Sequence, residues 1–239
     1  RSKYFMKYLK LSGPRRKLSD KKNIKILDAG CGSGDYSFYL AGIFPDSYIE
    51  ALDLNEVAIV DNKKIQERMN IKNIIFAKAD LLSLGERAKY DLIVCIGVVI
   101  YMSFKENEKI FRNLYDALKS GGIMYLYFAH KDWERSLIFN PKHYKHMYEL
   151  AKQQNRGDLY DQDQAAGLLK NLGFKIIKQR LTGGFWGELA WEIDHILSEK
   201  KLHRLKILII PLLRLFCLFE MLSNNKKGTG MIFVVEKSG

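Results

Sequence analysis

The chain of 239 residues is 47% hydrophobic and 28% charged, which excludes a wholly disordered protein and suits one large α/β domain or a domain with a substantial appendage. Its 39 lysines and arginines against 27 aspartates and glutamates leave a net charge of +12, which favours a polyanionic partner, either nucleic acid or an anionic membrane surface. A lysine-rich composition without such a partner is the alternative.

The three cysteines, Cys31, Cys95 and Cys217, stand singly in apolar or glycine-rich surroundings. They show no Cys-x-x-Cys spacing, and no clustered histidines accompany them. We therefore expect no metal site and no disulfides, and a reducing, cytoplasmic compartment fits this cysteine usage. No N-terminal signal pattern is visible.

The apolar residues between Tyr4 and Leu11 recur at the spacing of a short amphipathic helix, which Gly13 and Pro14 end. This pattern predicts a lid or packing helix within residues 1–20, ahead of the core. A solvated tail is the alternative.

A strand, a glycine turn and a helix are predicted over residues 24–43, with the helix starting at Tyr36. The turn contains three glycines at alternate positions, Gly30, Gly32 and Gly34. Glycines allow a tight turn and a closer approach of a ligand than a Cβ would permit, and the helix N-terminus offers unpaired N–H groups. The dinucleotide fingerprint needs a glycine where this chain has Asp35, a residue that suits a cationic or zwitterionic ligand better than a pyrophosphate.

The acidic Asp28 followed by this Gly-x-Gly-x-Gly turn resembles the first motif of the class I S-adenosylmethionine-dependent methyltransferases. A turn that merely joins a strand to a helix is the alternative. The resemblance implies a seven-stranded sheet that ends in an antiparallel pair, with S-adenosyl-L-methionine as the cofactor. The cofactor-binding residues that we assign with its help are Asp28, Gly30, Cys31, Gly32, Gly34, Asp53, Leu54, Asp80, Leu81, Cys95 and Gly97.

The next two predicted strands, at residues 48–53 and 74–80, each end in an acid. Because the carboxyl ends of neighbouring parallel strands lie side by side, Asp53 would reach the ribose hydroxyls of a nucleoside held at the glycine turn. The resemblance implies that Asp80 approaches the adenine amino group. The helix between these strands is predicted over residues 56–69, with the inward residues Val57, Ile59, Val60 and Ile65.

Further strands are predicted at residues 90–97, 123–129, 174–180 and 231–236, with helices over 105–120 and 162–173. We expect Gly121 and Gly122 to end the first of these helices. The alternation predicts an α/β fold, a doubly wound, seven-stranded and mostly parallel sheet with an antiparallel last strand. Residues 1–239 would form one domain.

The connection between the last two strands, residues 181–230, is too long for a hairpin and is predicted to be a helical insertion. Between Lys200 and Lys227 it contains seven basic residues against the single acid Glu220, around long aliphatic runs. Pro211, Arg214 and Glu220 interrupt these runs, which disfavours a membrane-spanning helix. The pattern is typical of a segment in a membrane interface or over an apolar substrate, and a helical cap on the sheet edge or a homodimer interface is the alternative.

Methyl transfer disperses positive charge, so that positioning carries much of the acceleration, and a general base is needed only where the acceptor loses a proton. The candidates for proton handling are Tyr101, His130 and His143, and an exposed or structural histidine is the alternative for His130. The irregular segment 130–161 should lie on the acceptor side of the sheet. Residues 95–98 lack the Asn/Asp-Pro-Pro-aromatic signature, which disfavours N6-adenine methylation.

The sequence therefore favours a methyltransferase that acts on a small, apolar or lipid-like acceptor at or near a membrane. It would be cytoplasmic or peripheral on the inner membrane face. An RNA or protein methyltransferase is the first alternative, although the basic residues lie beside aliphatic runs rather than among aromatic ones, so that a nucleic-acid partner is disfavoured. A non-catalytic partner subunit that keeps the fold is the second.

Overall fold

The computed structural model describes residues 23–98, 102–131, 159–199, 202–223 and 225–238. Seven strands form one sheet: β1 Lys25–Ala29, β2 Tyr48–Asp53, β3 Ile74–Lys78, β4 Tyr90–Ile96, β5 Leu118–Ala129, β6 Phe174–Thr182 and β7 Gly230–Lys237. The helices are α1 Asp35–Ile43, α2 Glu56–Arg68, α3 Phe104–Ala117, α4 Gln162–Asn171, α5 Phe185–Glu199 and α6 His203–Leu222. A short 3₁₀ turn spans Leu81–Ser83.

The strand order is β3-β2-β1-β4-β5-β7-β6, and the first five strands pair in parallel. β7 lies between β5 and β6 and is antiparallel to both. The predicted fold class, a doubly wound and mostly parallel seven-stranded sheet, is confirmed. The strand order reverses between β1 and β4, which is where sheets of this type bind ligands, beyond the carboxyl ends of the strands.

The central strands are buried on both faces, as parallel strands between two helical layers must be. In β4, Leu92 and Val94 pack in the cluster that includes residues of α1 and α2, whereas Ile93 and Cys95 pack with residues of α3 and α4. The nearly unbroken apolar run of this strand thus contributes side chains to the hydrophobic clusters on both faces of the sheet.

Helix α2 corrects the prediction of its inward face. Val57 is 70% exposed, and Val60 and Ile65 are also exposed; within the helix only Ile59 and Asn62 are buried. The helix contacts β2 and the edge strand β3, so a narrow stripe of it meets the sheet.

Helix α3 ends at Ala117, three residues before the predicted end, and the chain enters β5 directly at Leu118. A residue of β7 caps the end of the helix: Lys237 Nζ donates to the carbonyl oxygen of Tyr115, in the last turn, at 2.7 Å and to that of Leu118, just after the helix, at 2.8 Å. The predicted stop at Gly121 was wrong because Leu118 is already extended and pairs with Tyr90 of β4.

The connection from β6 to β7 contains α5 and α6, which pack against each other. The carboxylate of Glu220, near the end of α6, accepts hydrogen bonds from Gly184 N at 3.0 Å and Gly187 N at 3.1 Å, at the N-terminus of α5. Arg180 of β6 donates to the carbonyl oxygens of Glu220 and Ser223 at the end of α6. The carboxylate thus lies at the positive N-terminal end of α5, and the guanidinium lies at the negative C-terminal end of α6. The insertion is therefore held to the sheet by electrostatic contacts as well as by packing.

Within the described part of the chain, no helix combines the length and the apolar character needed to cross a bilayer. The predicted lid helix in residues 1–20 and most of the acceptor-side segment 130–161 lie outside the described residues, as do the candidates Tyr101 and His143.

Candidate functional site

The three glycines of the turn after β1 all have positive φ angles, but for different reasons. A Cβ on Gly30 would lie 2.2 Å from Cγ2 of Val98, and a Cβ on Gly34 would lie 2.8 Å from Oδ1 of Asn62. A Cβ on Gly32 would meet no atom within 4 Å. Internal packing therefore requires the outer two glycines, whereas the middle one borders open space that a ligand can enter.

Asp53, the last residue of β2, is oriented by two backbone donors. Its Oδ2 accepts a hydrogen bond from Gly32 N at 2.8 Å, and its Oδ1 accepts one from Asn55 N at 2.8 Å. A carboxylate offers about four lone-pair sites, so about two remain for a ligand. A vicinal diol, such as that of a ribose, matches such a fixed pair of acceptors.

Asp28 lies one strand away and is 1% exposed. Ser37 Oγ donates to its Oδ2 at 2.5 Å, which links β1 to α1. Burial raises the pKa of Asp28 to about 7, the Ser37 hydrogen bond opposes the shift, and the charge of Asp53 adds to it. The Asp28 carboxyl group therefore titrates near neutral pH. It lies at the end of β1, immediately before the glycine turn.

Asp80 follows β3 and caps the 3₁₀ turn, its Oδ1 accepting from Leu82 N at 2.9 Å. The adjacent Leu81 is buried in the core, and Leu54 is 61% exposed. Since β3, β2 and β1 are neighbours and parallel, Asp80, Asp53 and Asp28 lie at the same carboxyl edge of the sheet. The sequence predicted this convergence; the binding roles of the three carboxylates stay predictions.

Cys31 and Cys95 are buried, and burial raises the pKa of both thiols, that of Cys95 to about 12. A raised pKa keeps the thiols protonated at neutral pH, which disfavours them as nucleophiles because the thiolate is the reactive form. Gly97 follows β4 with φ +73, and a Cβ there would also meet nothing within 4 Å. Gly32 and Gly97 thus leave open backbone just after the two strands that flank the reversal of strand order.

Asn62 is a site residue that the sequence analysis missed. It is 2% exposed, and its Nδ2 donates to the carbonyl oxygen of Gly32 at 2.8 Å. The side chain also fills the space beside Gly34. The available signal was a polar residue between Ile59 and Gln66 on one helical face, which the apolar pattern of α2 obscured.

His130, the candidate for proton handling, lies just beyond β5 and is buried. Its backbone N donates to the carbonyl oxygen of Thr229 at 2.9 Å, and it forms a parallel bridge with Tyr160. Lys131 forms an ion pair with Asp161 at 2.9 Å. These contacts join both ends of segment 130–161 at the carboxyl edge of the sheet, where an acceptor would bind.

Trp186, in the first turn of α5, contacts Phe185 and the α6 residues Phe216 and Phe219. The tryptophan thus fills the junction of the two insertion helices. This position agrees with packing between α5 and α6.

A doubly wound sheet with a glycine turn at its reversal point and an oriented carboxylate on the next strand defines a nucleoside-binding α/β protein. A model of the methyltransferase domain family matches residues 20–182, well over half of the chain. The chain belongs to this family and, by its fold, to the class I S-adenosylmethionine-dependent methyltransferases, as the resemblance of its first motif implied.

Two curated relatives illustrate the range of the family. The malonyl-[acyl-carrier protein] O-methyltransferase of Bacillus cereus is 30% identical over 125 residues, which cover 52% of this chain and 45% of that protein. The sterol 24-C-methyltransferase of Candida albicans is 24% identical over 180 residues, which cover 73% of this chain and 46% of that protein. The chain spans less than half the length of these curated relatives.

Solved structures share the fold over nearly the whole chain. A putative sarcosine dimethylglycine methyltransferase from Galdieria sulphuraria superposes with a TM-score of 0.68 at 16% identity, covering 99% of this chain and 84% of that one. Phosphoethanolamine N-methyltransferase 2 of Haemonchus contortus was solved in complex with S-adenosyl-L-methionine. It superposes with a TM-score of 0.68 at 17% identity, covering 97% of this chain and 52% of that one.

Proposed function

We propose that the protein transfers a methyl group from S-adenosyl-L-methionine to a small, apolar or lipid-like acceptor at or near a membrane surface. The observation that carries the proposal is the position of the insertion. β5 and β6 both pair antiparallel with β7, so that the insertion leaves the sheet after Thr182 and returns at Gly230, at the edge that holds the glycine turn. An apolar helical pair therefore begins at the same carboxyl edge as the candidate cofactor site, although β4 and β5 lie between β1 and β7.

The residues of the turn fit the cofactor. Asp53 would hold the ribose hydroxyls with its remaining lone pairs, and the open backbone at Gly32 would admit the ligand without a clash. Asp80 and Leu81 would contact the adenine, and the buried Asp28, held by Ser37, would support the turn that binds the cofactor. When bound, S-adenosyl-L-methionine supplies a methyl group on a positively charged sulfur.

The protein's own residues would act mainly by position and by exclusion of water. The buried, protonated Cys31 and Cys95 argue against a covalent cysteine intermediate. His130 is buried at the acceptor edge and is the described residue best placed to accept a proton from an acceptor that must lose one. Tyr101 and His143 remain candidates from the sequence.

One relative supports an apolar acceptor in general terms, because it is named for sterol. Another is named for malonyl-[acyl-carrier protein], an acyl group on a carrier protein, and this chain shares the methyltransferase domain with such enzymes. The aliphatic runs of α6 suit an acceptor of similar apolar character. The same proposal places the protein in the cytoplasm, peripheral on the inner face of the membrane.

A fractionation assay tests the acceptor class. The protein is incubated with S-adenosyl-L-methionine carrying a tritiated methyl group and, in separate reactions, with a total lipid extract, total RNA and a protein lysate. We expect label in the organic phase of the lipid reaction, and label in RNA or protein alone would contradict the proposal. Asp53→Ala should abolish transfer, whereas Asp61→Ala, which removes a carboxylate exposed to 60%, should not.

The cofactor assignment has its own test in calorimetric titration with S-adenosylhomocysteine. Binding that is lost in Asp53→Ala and retained in Asp61→Ala supports the site. No binding by the parent chain would overturn it, and binding without turnover on any fraction would favour a non-catalytic partner subunit.

A further inference from the structure

Helix α6 presents an apolar face to solvent. Seven large apolar side chains on it are exposed: Leu205, Leu208, Leu212, Leu215, Leu218, Phe219 and Leu222. Leu208 and Leu222 are exposed to 76% and 75%. Soluble monomers rarely expose a contiguous apolar patch of this kind, and such patches mark surfaces that bind a partner or a membrane.

The exposed residues are ordered along the helix and not scattered. Six of them, from Leu205 to Leu222, follow each other at alternating distances of three and four residues, which aligns them in one stripe. A helix of 20 residues is about 30 Å long, so the stripe runs over most of that length. The opposite face of the helix, with Leu213 and Cys217, is buried against α5.

The charges around the stripe have one sign. Arg214 is exposed beside it, and Lys226 and Lys227 are exposed after its C-terminal end. Four more basic residues lie in the sequence at its N-terminal end: Lys200, Lys201, Arg204 and Lys206. The only acid between residues 200 and 227 is Glu220, which is buried and caps α5. The stripe therefore combines apolar area with positive charge that no exposed acid in this segment offsets.

We propose that this stripe, the α6 docking face, lies in the headgroup region of an anionic phospholipid bilayer, with the helix parallel to the membrane plane. A helix of this type buries its apolar face about 5–10 Å deep and gains from attraction between its basic residues and anionic lipids. The inference rests on the proposed function, because it supplies the surface from which a lipid-like acceptor would come.

A second copy of the chain is a poorer occupant of the same face. The stripe has the spacing of a coiled-coil seam, but Pro211 and Arg214 lie near the middle of the helix. In an antiparallel pair, the arginines of the two copies would come close together with no exposed acid of α6 to neutralise them. The seam also lacks the opposite charges at flanking positions that select a partner helix.

The docking face is connected to the acceptor edge of the sheet by a series of contacts. Trp186 of α5 contacts Phe216 and Phe219 of α6, and Thr229 connects the end of the insertion to Glu188 of α5 and to His130. A bilayer bound on α6 would therefore be linked by short contacts to the acceptor edge.

Vesicle flotation with the full chain tests the proposal. Vesicles of phosphatidylcholine alone are compared with vesicles that also contain phosphatidylglycerol, at low and high salt. We expect co-flotation with the anionic vesicles, weakened by salt. The double variant Leu208→Glu/Leu215→Glu should lower the bound fraction by about ten-fold or more, since it places two charges in the apolar interface.

The control is Val57→Glu, which makes the same kind of change at a residue 70% exposed on α2, and it should bind vesicles like the parent. Calorimetry with S-adenosylhomocysteine shows whether each variant is folded and keeps its cofactor site. Absence of flotation by the parent, or equal flotation by parent and double variant, would overturn the inference.

Light scattering tests whether a second copy of the chain, rather than a membrane, covers the α6 docking face. A parent chain that is dimeric and does not float, with a double variant that is monomeric, would assign the face to a second copy and refute the membrane. Label transfer to lipid without any flotation would refute the docking face alone and leave the proposed activity standing.

Discussion

Replacement of Asp28 by asparagine should remove a pH-dependent penalty on folding. Burial raises the pKa of this carboxyl group from its usual 3.8 to about 7. In the pH range between these two values the folded state therefore binds more protons than the unfolded state, and the free energy of unfolding falls as the pH rises. Below pH 3.8 the penalty is absent, and above pH 7 it is complete.

The size of the penalty follows from the shift. A rise of the pKa from 3.8 to about 7 corresponds to about 4 kcal/mol above pH 7, and the difference between pH 5 and pH 8 is about 2–3 kcal/mol. Asparagine is neutral at both pH values and keeps an oxygen that can accept from Ser37. The variant should therefore gain stability over the parent as the pH rises.

Urea unfolding of parent and variant at pH 5 and pH 8 measures this change. The quantity of interest is the difference in the free energy of unfolding between the two proteins, because every other titrating group cancels in it to first order. An increase of about 2–3 kcal/mol in favour of the variant is expected. A difference that does not change with pH, or one that falls, would refute the assignment of a raised pKa to Asp28.

Three further outcomes follow from single contacts. Gly34→Ala should destabilise the protein by more than about 2 kcal/mol in urea unfolding, because the strain of a left-handed backbone adds to the clash with Asn62. Gly32→Ala meets no neighbouring atom and should cost only about 1 kcal/mol of stability. It should instead weaken the binding of S-adenosylhomocysteine, measured by calorimetry. Equal stability losses in both would contradict the distinction. Glu220→Gln should cost about 1–2 kcal/mol of stability, while the exposed control Glu108→Gln should cost at most a few tenths. Lys237→Met should cost about 1 kcal/mol and raise amide exchange at the end of α3; unchanged exchange there would speak against the cap.

The sequence by itself determined the strands and the cofactor turn. The unbroken apolar run of β4 and the glycines between β1 and α1 are local patterns, and the physics behind them acts over a few residues. The position of Asp53 could also be predicted from the sequence, because β2 is parallel to β1 and the two strands end at the same edge of the sheet. The insertion between β6 and β7 was recognisable by its length alone.

Only the tertiary structure decided which glycine faces open space and which residues of α2 face the sheet. Asn62 reaches Gly32 across thirty positions of sequence, and Lys237 caps α3 from the far end of the chain. The orientation of α6 likewise depends on tertiary contacts, because Glu220 and Arg180 hold the helix against α5 and β6 and so determine which face is exposed. Each of these contacts joins residues whose local sequences carry no mark of the partner, because side-chain packing and capping depend on where the sheet brings distant segments together.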